Sequence, residues 1–361
     1  MSASARTTTS TRVTATAPGK LFLLGEYAVL HGAPALLLAV DRRAAVTATV
    51  GGGGSPGWRL TARELGIEAL LLGDDGALPT NLAPETREPL ALFDAVRREV
   101  AAHLEKLDVS PDAGVDIHID TSPFQQDGHK LGLGSSAAVA AALTAALAAA
   151  LASVLSRSRG VDLARDELFA LADAAHRRAQ GGSGSGGDVA ASVYGDRILY
   201  TRDQPPVHVA WPDGLDLFAV VTGTGSSTVD LVARVADYGR RDPEGHRRDL
   251  DALAELAATT KTALENAGSF LTLADDYFRA LETLGLHSGA DIVTDRHREL
   301  RALAAASGAV FKTTGAGGGD LGLVFAKLEA TDELQSAFAH AGAAVIPIPT
   351  SLDGVRIEAV A

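Results

Sequence analysis

Three glycine-rich segments of the chain carry side chains that could handle a phosphate group. The first, GLGSSAA over residues 132–138, opens an uncharged, alanine-rich stretch with the composition of a helix. Glycines let a backbone approach phosphate closely, and the free N–H groups and positive dipole at a helix start attract the anion. Ser135 and Ser136 add hydroxyls for a phosphate or for Mg²⁺, although a serine here could instead only cap a buried helix. The pattern favours a phosphate loop at a helix start.

The second and third segments combine glycines with a carboxylate. The second, GGSGSGGD over residues 181–188, ends at Asp188, which either caps a short helix or points into a cleft that the glycines keep open. The third, TGAGGGD over residues 314–320, lies between two apolar runs that read as strands. A tight hairpin needs only two or three turn residues, so the longer loop favours a backbone that faces a ligand.

Other phosphate and metal motifs do not fit this sequence. A Walker loop requires Gly-Lys-Ser/Thr, but Gly19-Lys20 is followed by Leu21. Residues 132–137 match a dinucleotide fingerprint in spacing, yet no apolar strand precedes them. The ten histidines never recur three to five residues apart, which excludes a local zinc motif.

The composition describes a folded, acidic protein. The chain has 361 residues, a formal net charge of -13 and no cysteine. The lack of cysteine excludes disulfides, Cys-ligated metal centres and thiol nucleophiles, and the acidic surplus argues against nonspecific nucleic-acid binding. Residues 1–12 are polar, lack the apolar core of a secretory signal, and are predicted to be a disordered tail. The uncharged stretch 137–155 could span a bilayer by length, but its alanine content favours a buried helix.

Strand and helix signals alternate irregularly around the three loops. Because they lack the regular βαβ alternation of a Rossmann or barrel fold, the sequence predicts an α+β fold, with a lobe boundary near the prolines of residues 202–214. The predicted strands and helices are strands at Val13–Ala15, Leu21–Leu24, Ala35–Val40, Val46–Val50 and Gly114–Asp120, helices at Ser135–Leu155 and Leu163–Ala179, and a helical block over about 226–305.

Together the three segments resemble the motifs of the GHMP kinases. APGK at residues 17–20 with GEYAVL at 25–30 is similar to the first family motif, residues 132–138 to the second and residues 314–320 to the third. The resemblance runs from about residue 13 to the C-terminus. It implies a two-lobed α+β fold, with a β-rich N-terminal domain over 13–205, a helix-rich α/β C-terminal domain over 206–361, and the active site between them.

The resemblance implies an ATP-dependent small-molecule kinase. SGSGGDVAASVY at 183–194 is most similar to phosphomevalonate kinases, whereas HGAPA at 31–35 is similar to mevalonate kinases. Phosphomevalonate is therefore the expected acceptor, and mevalonate or another substrate of the family is the alternative acceptor. A non-catalytic ATP-binding sensor is the alternative to a kinase. A cytoplasmic enzyme, monomeric or homodimeric, without nucleic-acid or membrane partners, is expected. Tyr27 stands where mevalonate kinases usually have histidine, and Leu321 where a cysteine often follows the third loop.

The family motifs assign roles to residues by resemblance. Lys20 and Asp188 are the expected catalytic residues, and Ser136 is the expected protein ligand of Mg²⁺. No acid occurs at residues 176–180, where related kinases supply a second ligand. Cations expected to help hold an acceptor phosphate, unless they are ordinary surface charges, are Lys130, Lys312, Arg42 and Arg43. The expected ATP-binding residues are Lys130, Gly132, Leu133, Gly134, Ser135, Ser136 and Ala137, and the expected substrate-binding residues are Glu26, Tyr27, Ser185, Gly186, Ser227, Thr314, Gly315, Ala316 and Gly317.

Overall fold

The computed structural model describes residues 10–51, 57–106, 114–126, 129–155, 163–182, 184–223, 228–319 and 321–360. Residues 1–9 of the predicted tail lie outside these ranges, whereas Thr11 and Arg12 already belong to the first strand.

Strands and helices follow one another irregularly along the described chain, as the sequence predicts. The strands are β1 (Thr11–Leu24), β2 (Ala35–Val50), β3 (Arg59–Ala62), β4 (Ile67–Leu71), β5 (Val115–Asp120), β6 (Gln125–Gln126), β7 (His129–Lys130), β8 (Arg197–Tyr200), β9 (Val207–His208), β10 (Leu215–Val221), β11 (Val310–Thr313), β12 (Leu321–Lys327), β13 (Val345–Pro347) and β14 (Arg356–Val360). The helices are α1 (Pro84–Arg87), α2 (Ala91–Glu105), α3 (Ser135–Leu155), α4 (Arg165–Ala179), α5 (Gly187–Tyr194), α6 (Thr228–Arg241), α7 (Pro243–Ala258), α8 (Thr260–Ala263), α9 (Ala267–Ser288), α10 (Asp295–Ala306) and α11 (Thr331–His340).

The chain forms two compact units that are not contiguous in sequence. One unit contains Met1–Lys20, Arg42–Gly195 and Asp353–Ala361, and the other contains Leu21–Asp41 and Asp196–Leu352. This division differs from the expected halves 13–205 and 206–361, because the C-terminal strand β14 pairs with β1 near the start of the chain.

The first unit is a mixed sheet covered by helices. Its strand order is β14-β1-β2-β5-β3-β4, with β3 and β5 parallel and the other recorded pairs antiparallel. Strand β5 reads VDIHID and alternates buried and exposed residues, which is the pattern of a strand with one face on the core. Helices α2, α3, α4 and α5 pack against one another.

Helix α3 is the central helix of this group and starts directly after the first glycine-rich loop. Its alanines are almost completely buried, since small side chains allow neighbouring helices to approach on several sides. The window Ser135–Ala152 is apolar enough to cross a membrane by length and composition, but 83% of it is buried inside the protein. The predicted buried helix is therefore confirmed.

The second unit combines an antiparallel sheet with a helical layer. The sheet has the order β11-β12-β10-β13, and helices α9 and α10 pack against β11. In the same unit, residues Ala35–Leu38 of β2 pair with β8, and β8 pairs with β9. The 3₁₀ turn Ala28–His31, which includes the last residues of the first family motif, packs against α7.

The predicted element types agree with the structure, but several predicted boundaries do not. The separate strands expected on either side of Pro18-Gly19 are one continuous strand, β1, and those expected between Ala35 and Val50 are also one strand, β2. Gly19 permits this continuity, because a Cβ there would lie 2.4 Å from the carbonyl oxygen of Leu133. The strand thus passes close to the first loop instead of turning away from it.

Candidate active site

The first glycine-rich loop and Lys20 form one packed arrangement in the first unit. Leu131 and Leu133 are buried and anchor the loop, while Gly132 and Gly134 have positive φ angles of 70° and 78°. The Lys20 amide donates to the Leu133 carbonyl at 2.8 Å. A Cβ on Gly134 would lie 2.7 Å from Lys20 Cγ, so the lysine stem crosses directly over this glycine. The lysine is thereby fixed beside the start of α3.

The start of α3 presents the atoms expected of a phosphate loop. Ser135 and Ala137 are buried, whereas Ser136 is exposed. The first amide groups of a helix have no carbonyl partner within the helix, and the helix dipole adds positive potential there. The predicted ATP-binding residues 132–137 form one loop and helix start; for Lys130 the structure describes only the backbone, in β7.

Lys20 and Asp188 form an ion pair. Lys20 Nζ lies 2.9 Å from Asp188 Oδ1, and the two side chains are 13% and 30% exposed. Asp188 sits in the first turn of α5, where the helix dipole favours a negative charge. Both predicted catalytic residues therefore meet at one point, between the beginning of α5 and strand β1, which passes beside the phosphate loop.

The second glycine-rich loop shapes the approach to Asp188. Gly186 has a φ of 86°, a left-handed conformation that L side chains rarely adopt, and it caps α5. Ser185 is buried, and its hydroxyl accepts a hydrogen bond from the Gly187 amide at 3.2 Å. Ser185 thus stabilises the turn before Asp188, while its predicted contact with substrate stays a prediction.

His176 is a member of this site that sequence reasoning missed. The imidazole is buried, and its Nε2 lies 3.2 Å from Ser136 Oγ and 3.3 Å from Gln180 Nε2. Burial lowers the pKa of His176, and Lys20 acts in the same direction, while Asp188 and Asp173 oppose it. A neutral ring beside Ser136 fits a partner that orients the hydroxyl. No local pattern signals this contact, since the two residues are 40 positions apart.

The residues around Ser136 suit Mg²⁺ rather than a metal that needs a protein cage. Within the described residues, no group of three or more His, Asp or Glu side chains could hold a metal ion. Mg²⁺ usually keeps several waters and takes one or two protein oxygens besides substrate phosphates. The exposed Ser136 hydroxyl can supply one such oxygen.

A second group of predicted residues comes together in the second unit. The Tyr27 hydroxyl donates to the Ala316 carbonyl at 2.6 Å, and the Thr314 hydroxyl donates to the Phe22 carbonyl at 2.7 Å. Burial, with a smaller contribution from Glu26, raises the pKa of Tyr27. The first and third family motifs are therefore joined directly by side-chain hydrogen bonds.

The backbone of the third loop is tightly constrained. Gly317 has a φ of 84°, and a Cβ there would lie 2.4 Å from the Ile292 carbonyl oxygen. The Gly318 amide donates to the same oxygen at 3.0 Å, and the Thr222 hydroxyl donates to the Gly319 carbonyl. Gly315, by contrast, faces open space. Part of the loop's glycine content thus serves packing within the protein.

The expectation that Lys312 is a surface cation or a partner for an acceptor phosphate is wrong. Lys312 is completely buried, and its Nζ lies 2.5 Å from Glu26 Oε1 and donates to the Thr313 carbonyl at 2.6 Å. Burial lowers the pKa of Lys312, and the Glu26 carboxylate opposes this shift. The Lys312 ammonium therefore pairs with Glu26 inside the protein and is not accessible to a ligand.

Of the remaining candidate residues, some make structural hydrogen bonds and others lie outside the described residues. Arg43 donates to the Thr16 side chain and to backbone carbonyls at Asp353 and Gly354, which is a structural role in the first unit. Arg42 is half-buried and donates to the Pro123 carbonyl at 3.0 Å. Ser227 and the terminal Asp320 of the third loop lie outside the described residues.

Comparison with known proteins defines the class. A family model described as the GHMP kinases N terminal domain matches residues 94–196, which include α3, α4 and α5. A phosphomevalonate kinase from a Streptomyces species is 30% identical over 385 aligned residues, covering 94% of this chain and 97% of the relative. The chain belongs to the GHMP kinase family, and it is a phosphotransferase.

One further relative and one solved structure complete the comparison. A mevalonate kinase from Thermococcus onnurineus is 29% identical, covering 97% of this chain and 99% of the relative. The structure of Streptococcus pneumoniae phosphomevalonate kinase in complex with phosphomevalonate and AMPPNP has a TM-score of 0.75 at 20% identity, covering 96% of this chain and 99% of that one. The latter likeness confirms the α+β GHMP-kinase fold that the sequence predicts.

Proposed function

We propose that this kinase transfers the γ-phosphoryl group of ATP to phosphomevalonate, giving diphosphomevalonate, as a cytoplasmic enzyme of the mevalonate pathway. The observation that carries the proposal is the Lys20–Asp188 ion pair of 2.9 Å beside the phosphate loop. The 30% identity with a phosphomevalonate kinase supports the choice of acceptor.

The phosphate loop is the proposed binding site for the ATP phosphates. The amide groups at the start of α3 would bind phosphate oxygens, and the left-handed conformations of Gly132 and Gly134 shape the loop that leads to these amides. When bound with ATP, Mg²⁺ would neutralise charge on the phosphate oxygens, and Ser136 would hold it, oriented by His176. Phosphoryl transfer depends mainly on such positioning and on electrostatic stabilisation.

A phosphate acceptor explains why Asp188 is paired with a lysine. A phosphate monoester has a second pKa near 6, so at pH 7 it is mostly dianionic and has no proton to lose on attack. The acceptor and the nucleotide are both anionic, so a cation between them matters more than a base. Asp188 would then fix the Lys20 ammonium, and Lys20 would stabilise the transferred group.

Mevalonate is the second candidate acceptor, because the Thermococcus mevalonate kinase is nearly as similar as the phosphomevalonate kinase. An alcohol must lose its proton as it attacks, and Asp188 would then act as the general base. In that mechanism the Lys20 contact would compete with the proton transfer that Asp188 must perform.

One assay distinguishes the two acceptors. The purified protein is given Mg·ATP with phosphomevalonate or with mevalonate at equal concentrations, and ADP release and the phosphorylated product are both measured. We expect diphosphomevalonate from phosphomevalonate and a much lower rate with mevalonate. A higher kcat/KM for mevalonate would refute the proposed acceptor, and ATP binding without turnover on any family acceptor would refute a kinase activity for this chain.

A further inference from the structure

A buried ion pair joins the segments that carry the first and third family motifs. Glu26 and Lys312 are 2% and 0% exposed, and 2.5 Å separates Glu26 Oε1 from Lys312 Nζ. The Tyr277 hydroxyl donates to the Glu26 carbonyl at 2.9 Å, and the Lys312 ammonium lies 5.6 Å from the centroid of the Tyr277 ring. The pair thus sits on a buried aromatic residue of α9.

Each member of the pair lies one or two residues before a residue that contacts the opposite segment. Glu26 precedes Tyr27, whose hydroxyl reaches the Ala316 carbonyl. Lys312 is followed two residues later by Thr314, whose hydroxyl reaches the Phe22 carbonyl. The ion pair and the two hydrogen bonds are three ties between residues 22–27 and residues 312–316, and all of them lie within one compact unit.

Stability alone does not account for a charged pair at this position. Desolvating both charges costs much of what their attraction returns, so a well-packed apolar pair of similar volume is often as stable or more stable. Unlike an apolar pair, an ion pair has a preferred geometry, so it fixes the position of two backbone segments relative to each other. The Lys312 ammonium also donates to the Thr313 carbonyl, at the point where β11 enters the loop.

We infer that Glu26 and Lys312 are positioning residues that hold loop 313–319 in the conformation that receives the acceptor, and that this is their main role. The inference rests on the proposed function in one respect, the assignment of the loop to the acceptor. Losing the pair relaxes the loop, so the acceptor binds more weakly while ATP, held by the first loop, binds as before.

The test compares single and paired substitutions. Glu26→Gln and Lys312→Met each leave one buried polar partner behind, so we expect both to lower the thermal midpoint. Glu26→Leu combined with Lys312→Met removes both charges at similar volume, so we expect the midpoint to return close to that of the unaltered protein. In this double variant the KM for the acceptor should rise about tenfold or more, with the KM for ATP changed less than twofold. Restored stability together with an unchanged acceptor KM would overturn the inference.

A second measurement does not depend on the acceptor. Amide hydrogen exchange in loop 313–319 should accelerate in the double variant, since the Gly318 amide is held by Ile292 only while the loop keeps its conformation. If the unaltered protein phosphorylates neither acceptor, the proposed function fails, yet faster exchange would still support the positioning role. Unchanged exchange in a folded double variant would overturn it.

Two additional variants complete the design. Tyr277→Phe removes only the hydrogen bond to the Glu26 carbonyl, so this variant should fold and should accelerate exchange in the loop to a smaller extent. If the double variant does not fold, unchanged exchange in Tyr277→Phe would overturn the inference. The control removes an ion pair of the same unit that has no contact with the loop, Arg298 with Glu282 at 2.6 Å. Arg298→Met with Glu282→Leu should change neither the acceptor KM nor the exchange of the loop, and an equal change in this control would overturn the inference.

Discussion

Lys20→Met is the substitution that most directly probes the proposed chemistry. Methionine keeps most of the apolar stem that crosses Gly134 but removes the charge beside Asp188. Two unit charges 2.9 Å apart attract by about 6 kcal/mol at an effective dielectric constant of about 20. If about half a unit of charge develops on the transferred group at a similar distance, Lys20 stabilises it by about 3 kcal/mol, or about 10²-fold in rate.

Asp188→Asn provides the comparison that identifies the acceptor. Loss of a general base is worth about 10² to 10⁴ only when a proton must move. With a phosphate acceptor, Lys20→Met should therefore reduce kcat more than Asp188→Asn, and with an alcohol acceptor the order should reverse. Rates are measured with saturating ATP between pH 5.5 and 8, and the unaltered enzyme should gain activity near pH 6 as the acceptor phosphate ionises.

The control for this experiment is Lys261→Met, which removes the charge of an exposed lysine on α8 and should leave kcat unchanged. An inactive Asp188→Asn enzyme beside a nearly normal Lys20→Met enzyme would refute the phosphate-acceptor mechanism. Equal loss in the Lys261 control would show that the assay responds to net charge and not to the site.

Three further predictions concern individual residues. Ser136→Ala should weaken the use of Mg·ATP about tenfold, and an unchanged Mg²⁺ dependence would contradict its role as a metal ligand. Gly134→Ala should reduce kcat and also lower the thermal midpoint, because the new Cβ displaces the Lys20 stem and alanine is strained at a φ of 78°; retained activity would contradict the described packing. Burial lowers the pKa of His297 to about 4, so the unfolded state binds more protons below pH 6.5 and stability falls as the pH drops. His297→Gln, which can still accept from the Thr294 amide, should remove about 3 kcal/mol of that loss between pH 6.5 and 4 in urea unfolding, and an unaltered pH dependence would refute the assignment.

Local patterns in the sequence predict those helices, strands and loops that are determined by residues close together in the chain. The alternation of β5, the buried alanine helix α3 and the three glycine-rich loops all have signals within about 20 residues, and the structure has each of these elements. Contacts between distant residues carry no such signal. Lys312 looks like a cation beside a loop until the fold brings it to Glu26, 286 positions away.

The same limit explains why His176 and the continuity of β1 were missed. Pro18-Gly19 normally indicates a turn, but here the strand continues because Gly19 lets it pass against Leu133, a residue far along the chain. His176 has an ordinary helical context, and only the packing of α4 on α3 places its ring beside Ser136. Each of these features is a product of tertiary contacts and not of local preference.

The alanine composition of α3 has a consequence for nucleotide binding. Alanine has no side-chain rotamers to lose, so a helix built from it becomes ordered at a low entropic cost, and its burial holds it in place. In the proposed ATP site, the amide groups at the start of α3 would therefore be oriented before ATP binds, and little further ordering would be needed on binding. The same helix leaves almost no space for larger side chains, so sequence drift in this enzyme should be slowest along α3, and attempts to raise its thermal stability should be directed at other elements.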